Sequence, residues 1–243
     1  MLCMKQVYAW SLPAFMISCC PLLAQEPALP SPQAEQQDAN APLANGETPL
    51  TQAVIKNDTE AVKKLLATAG IEVNRANSVG GTPLALAVTL GHTECVKLLM
   101  AAPGVELNKP LPNGDTPLHV AINFGHTELL QLLATTPGID LNCANTNGET
   151  ALMNAAYRNH PACVELLAAH HGINPNTANK YGMTPLLAAT MRGNTDCVRH
   201  LLTIPGIDVN APNTKGESPL NIATQKGYAD LADLLRTAGA KGE

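Results

Sequence analysis

Residues 114–142, GDTPLHVAINFGHTELLQLLATTPGIDLN, decide the fold of this chain. Thr116-Pro117 puts a hydroxyl at a helix N-cap and a proline, which has no N–H to lose, at the first helical position. A short helix follows, and Gly125 ends it. A second helix begins at His126-Thr127, and Pro137-Gly138 stops it. The remaining residues run out in extended form toward a turn, of the kind that Asn-Gly marks at 113–114 and 147–148.

The same arrangement recurs along the chain at a period of 34 residues. Glycine holds one register at Gly46, Gly80, Gly114, Gly148, Gly182 and Gly216. Leucine holds a second at Leu50, Leu84, Leu118, Leu152, Leu186 and Leu220, and alanine a third at Ala53, Ala87, Ala121, Ala155, Ala189 and Ala223. A fourth runs from Leu65 through Leu99, Leu133, Leu167 and Leu201 to Leu235. Asparagine marks the unit ends at Asn74, Asn108, Asn142, Asn176 and Asn210. Leu50 and Ala53 lie three apart on one face of the first helix, and alanine there lets a neighbouring layer approach closely. In HTECVKLLM (92–100) Val96 and Leu99 form the matching face of the second helix. One such unit cannot bury its apolar face alone, so the units must stack. Six units follow, at about 46–79, 80–113, 114–147, 148–181, 182–215 and 216–241. The end units differ as caps should: Lys64 stands where later units have Leu98, Leu132, Leu166 and Leu234, and the last unit carries Asp230, Ala232 and Asp233.

These residues, GDTPLHVAINFGHTELLQLL (114–133) and PGIDLN (137–142) above all, resemble ankyrin repeats. The resemblance covers residues 45–241 and implies an all-α solenoid of six helix-turn-helix units joined by β-hairpin-like loops. Each unit has one residue more than the usual family unit, because Pro-Gly replaces a single glycine after the second helix. That longer form resembles repeats of bacterial ankyrin proteins. The family implies a protein-binding function without a cofactor, carried by hairpin tips and first helices that together line a concave face.

Composition agrees with thin helical layers. The chain has 243 residues, but only two Phe, four Tyr and one Trp, so Leu, Ala and Val must fill the interior. A net charge of −5 with scattered Lys and Arg argues against nucleic acid as the partner.

The N-terminus reads differently. MLCMK carries Lys5, and VYAWSLPAFMISCCPLLA (7–24) has no charge, the pattern of a secretory signal ending at Ala24. The run also approaches spanning length, but Pro13 and Pro21 interrupt it. A second processing reading is lipidation at Cys19 through MISC, where Met16 fits the first position poorly. Residues 25–44, with four prolines and no Lys, Arg or aromatic, read as a disordered proline-rich linker. The chain is therefore expected to be exported, periplasmic or secreted, and monomeric.

One stretch resembles a reactive site: HPACVELLAAHHGI (160–173) holds His160, Cys163, His170 and His171. Its register argues otherwise. Cys163 aligns with Cys95, Leu129, Cys197 and Leu231, an apolar column in which free cysteine acts as a small hydrophobe. Successive layers about 10 Å apart keep Cys163 and Cys197 from bridging. His160 aligns with His92 and His126, which points to a structural hydrogen bond, and His171 takes the place of the helix-stopping proline. No phosphate loop, G-x-S-x-G elbow or H-E-x-x-H motif occurs. The chain reads as no enzyme; a metal or thiol site at Cys163, His170 and His171 and a plain structural spacer are the alternatives.

The docking columns hold the informative residues. Beyond the leader there are four aromatics, and three of them, Phe124, Tyr157 and Tyr181, fall on tip or first-helix columns. Arg158, Arg192, Met183 and Met191 accompany them, and Leu90 extends the strip. Aromatic, Arg and Met enrichment is the composition of protein-binding hot spots, so these eight residues are the expected partner-binding set.

Overall fold

A computed structural model describes residues 38–242. The expected signal segment, Cys19 and residues 25–37 of the expected linker lie outside the described residues. Six helix pairs follow one another: α1 (Pro49–Ile55) and α2 (Thr59–Leu66), α3 (Pro83–Thr89) and α4 (Thr93–Met100), α5 (Pro117–Asn123) and α6 (Thr127–Ala134). Then come α7 (Ala151–Tyr157) and α8 (Pro161–Ala168), α9 (Pro185–Arg192) and α10 (Thr195–Leu201), α11 (Pro219–Gln225) and α12 (Ala229–Thr237). Among the described residues no strand forms, and a single antiparallel bridge, Ala144 to Thr150, marks one of the hairpin-like loops. No helix among them is long and apolar enough to cross a membrane.

Local chemistry sets each boundary. The hydroxyls of Thr48, Thr82, Thr150, Thr184 and Ser218 each accept a backbone N–H three residues on. Thr150 caps α7 although Ala151 replaces the usual proline, so the cap does not depend on it. First helices end on a left-handed residue: glycine at 91, 125, 193 and 227, and Asn57 (φ 53°) and Asn159 (φ 60°) where two units lack it. Asparagine is the residue best able to replace glycine there. His171-Gly172 makes the turn that Pro-Gly makes elsewhere, with Gly172 at φ 90° beside Gly104 at 76° and Gly138 at 93°.

First helices pack on first helices and second helices on second helices of the next unit. The alanine column is buried throughout, which allows that approach, and the leucines from Leu50 to Leu220 are buried with it. The outer side of α2 is wet at Lys64, in register with half-buried Leu98, Leu132 and Leu166, and Asp230 and Asp233 are exposed on α12.

The unit-end asparagines do more than mark a register. Asn74 Nδ2 donates to Gly104 O at 2.7 Å while its Oδ1 accepts from Glu106 N at 2.8 Å. Asn108, Asn142 and Asn176 repeat this two-pronged clamp onto the next unit. Asn40 makes it as well, to Gly70 O and Glu72 N, both at 2.8 Å. Asn40, within the segment expected to be linker, thus holds the clamp register one period before Asn74 and contacts the first unit.

Candidate functional site

The hairpin tips and first helices of the third to fifth units enclose a groove of about 380 Å³. Asparagine fixes the tips. Asn145 Oδ1 accepts the N–H of Asn147 at 2.9 Å and of Glu149 at 3.1 Å, and Asn179 Oδ1 those of Tyr181 at 2.9 Å and Met183 at 3.0 Å. These turns close on the side chain's own backbone two and four residues on, which sets where Glu149, Tyr181 and Met183 point. Tips also bond to one another: Thr146 N donates to Asn113 O and Lys180 N to Asn147 O, each at 3.3 Å. Gly114 sits at this contact, where a Cβ would collide with the backbone of Thr146.

Five of the expected binding residues line this groove together: Tyr157, Arg158, Tyr181, Met183 and Met191. Tyr157 and Tyr181 stay 44% and 57% exposed, so their rings are available to a partner. Arg192 stands at the edge with its guanidinium 5.0 Å from the Tyr157 ring centroid. Lys180 lies 5.2 Å from the Tyr181 centroid and donates to Asn147 Oδ1 at 2.7 Å. The other two residues stand apart. Phe124 stacks on His126, the ring centroids 6.3 Å apart, and is not part of the groove wall; exposed Leu90, the C-cap of α3, is not either.

The groove floor was missed from the sequence. Asp115, 7% exposed, accepts from Asn113 Nδ2 at 2.8 Å, Asn123 Nδ2 at 3.1 Å and Asn145 Nδ2 at 2.9 Å. The same Asn145 amide donates to Glu149 Oε2 at 3.2 Å, so one nitrogen bridges the two carboxylates. Asp115 and Glu149 occupy the column of Met183, directly after each unit's glycine, and could have been found there. Neither is an aromatic, Arg or Met residue, the types enriched at binding hot spots.

His119 is fully buried behind this floor. Thr116 N donates to its Nδ1 at 3.3 Å, so the ring proton is on Nε2, which donates to Glu149 O at 2.9 Å. Burial lowers its pKa, against the raising effects of the Glu149 carbonyl and Asp115. The ring is a neutral strut between the third and fourth units.

The sequence stretch with a reactive look stays dispersed. Cys163 is buried with its Sγ 4.0 Å from Thr127 Oγ1, and burial raises its thiol pKa. Burial pushes Cys197 up to about 11, so it too is held as a thiol rather than a thiolate. Cys95, Cys143, Cys163 and Cys197 are all free. Among the described residues no three His, Cys, Asp or Glu side chains converge as a metal site would need, so Cys163, His170 and His171 are not brought together. His92 and His126 do reach back to the preceding unit, at Val54 O (2.9 Å) and Thr89 O (3.2 Å), as their register predicts. Asn194 does the same to Ala156 O at 2.7 Å, whereas His160 makes no such bond.

Comparisons with known proteins agree with this architecture. A family model described as ankyrin repeats (3 copies) matches residues 16–110, 101–179 and 171–242. An ankyrin repeat domain from Acinetobacter baumannii AYE is 31% identical, with a TM-score of 0.73 over 79% of this chain and 98% of that one. EF0377, an ankyrin repeat protein, is 30% identical with a TM-score of 0.71, over 77% of this chain and 96% of its own. The ankyrin repeat domain of Bcl-3, a member of the IkappaB family, is 32% identical with a TM-score of 0.75, over 81% and 88%. No curated protein sequence matches the chain. Ankyrin repeats are generally protein–protein interaction modules and typically non-enzymatic. Six stacked helix pairs, their shared register and these matches lead to one conclusion: the chain belongs to the ankyrin repeat family.

Proposed function

We propose that this chain is a non-catalytic, monomeric protein-interaction module that presents a concave surface of hairpin tips and first helices to a protein partner. The observation that carries this reading is the gathering of Tyr157, Arg158, Tyr181, Met183 and Met191 in one groove on adjacent units. Tyr and Arg anchors carry most of the energy at protein interfaces, and Met is enriched beside them. The tips are pre-ordered by their asparagines, so little conformational freedom is lost on docking.

Affinity capture from native extract tests this. Tyr157→Ala with Arg158→Ala is expected to abolish capture of a partner that the unaltered chain retains, with no change in thermal midpoint. Equal capture by the double variant would reject the groove as the docking site.

The same proposal places the array outside the cytoplasm, on the charge-free segment 7–24 behind Lys5. Cleavage after Ala24 leaves Gln25 as the first residue, and lipidation leaves Cys19. Mass spectrometry of the mature N-terminus decides between them, and a chain that retains Met1 would reject export.

A further inference from the structure

The groove described above holds two carboxylates, and no cation among the described residues pairs with either. All six ion pairs among the described residues join side chains three apart elsewhere, and none includes Asp115 or Glu149. The positive groups nearest the rim are otherwise engaged, Arg192 on the Tyr157 ring and Lys180 on the Tyr181 ring and Asn147. Arg158 lines the groove without reaching a carboxylate. His119 behind the floor is neutral in its hydrogen bonding, accepting at Nδ1 and donating to a carbonyl.

Both carboxylates are instead held by amides, which orient them without cancelling their charge. Asp115 accepts three side-chain amide bonds, but Glu149 Oε1 accepts none from a side chain. A carboxylate has about four lone-pair sites, so Glu149, which lines the groove, keeps capacity for an incoming donor. A partly buried negative floor between apolar walls focuses its field into the groove. Met183 and Met191, both half-buried, supply walls that adapt to an apolar neighbour. The volume suits a few side chains of a segment laid along the tips.

Resting on the groove being the docking site, we propose that its occupant is an extended segment of a partner protein whose lysine or arginine side chain enters over Asp115 and Glu149. An apolar residue beside that cation packs on Met183 and Met191. Cation recognition then gives the groove its register along the segment, and the methionines its tolerance of sequence.

A random dodecapeptide display library panned on the full chain tests this. Enriched peptides are expected to carry Lys or Arg at one fixed position next to an apolar residue. For a synthetic peptide from that set, replacing the basic residue by norleucine or citrulline should weaken binding at least about tenfold. Glu149→Gln should weaken the parent peptide comparably and leave the replaced peptide unaffected, the non-additivity of a direct pair. Glu149→Met, the residue that the same register holds at 183, is the second variant, and both are to be used with melting curves matching the unaltered chain. Peptides that depend on Tyr157 but show no coupling to Glu149, or that carry an acid at the fixed position, overturn the cation and leave the groove reading standing. A library that yields no peptide sensitive to Tyr157→Ala overturns both.

Discussion

Replacing Asn142 by alanine tests what holds one unit to the next. Asn142 Nδ2 donates to Gly172 O at 2.8 Å and Oδ1 accepts Asn174 N at 2.7 Å, so one side chain spans the boundary between the third and fourth units with two hydrogen bonds. Each contributes about 1 kcal/mol net, and solvent can replace part of both because the loop is half-exposed. The expected loss is about 1–2 kcal/mol. Asn142→Asp keeps the acceptor but sets an anion against the Gly172 carbonyl, so it should destabilise at least as much as alanine. Asn210 is the internal standard. Its Oδ1 accepts Lys241 N at 2.8 Å, but its Nδ2 is 3.5 Å from Gly239 O, so Asn210→Ala should lose about half as much. Urea unfolding followed by far-UV circular dichroism gives these values. In a linear array, stability sums unit and neighbour-interface contributions, so the central variant should also broaden the transition more than the terminal one. If Asn142→Ala unfolds within about 0.3 kcal/mol of the unaltered chain, or if Asn210→Ala loses as much as Asn142→Ala, the clamp reasoning is refuted.

Three further outcomes follow from the packing. Thr190 Oγ1 is fully buried without a hydrogen-bond partner, where the same column has Val54, Val88 and Ile122, so Thr190→Val should raise stability by about 1 kcal/mol in the same titration. His119 is buried neutral and its folded pKa is lowered, while the unfolded ring titrates near about 6.5. Its contribution is therefore full above that pH and falls as pH drops below it, by up to about 1.4 kcal/mol per unit, until the folded pKa is reached. His119→Gln should lack this component in urea midpoints compared pairwise between pH 7.5 and 5.5, and identical slopes would count against a neutral ring. Gly104 (φ 76°) has open space around it, whereas a Cβ on Gly114 (φ 83°) would meet the Thr146 backbone. Gly104→Ala should lose about 1 kcal/mol from left-handed strain alone, and Gly114→Ala clearly more, which differential scanning calorimetry would register as unequal falls in midpoint.

Much of the architecture was legible because its signals are local and repeated. A Thr-Pro start and a glycine stop, each in four units, and a Leu-x-x-Ala face in all six act within a turn or two of helix, and their shared register leaves no competing period. Repetition also resolves the stretch 160–173, since Cys163 shares an apolar column with Cys95 and Cys197. The candidate groove was legible in part. Columns identified Tyr157, Arg158, Tyr181, Met183 and Met191, but Phe124 turns to stack on His126 because the two lie two residues apart around the Gly125 turn.

The sequence by itself determined the repeat, the helix boundaries and the apolar columns, since each rests on residues close in the chain. Tertiary structure alone decided the groove floor and the start of the array. Asp115 is bound by Asn145, 30 residues away, and Asn40 by Gly70 and Glu72, 30 and 32 away. An asparagine reads in isolation as a turn former; only when stacking brings the next unit's carbonyls and carboxylates within 3 Å or so does it become a clamp or a bridge.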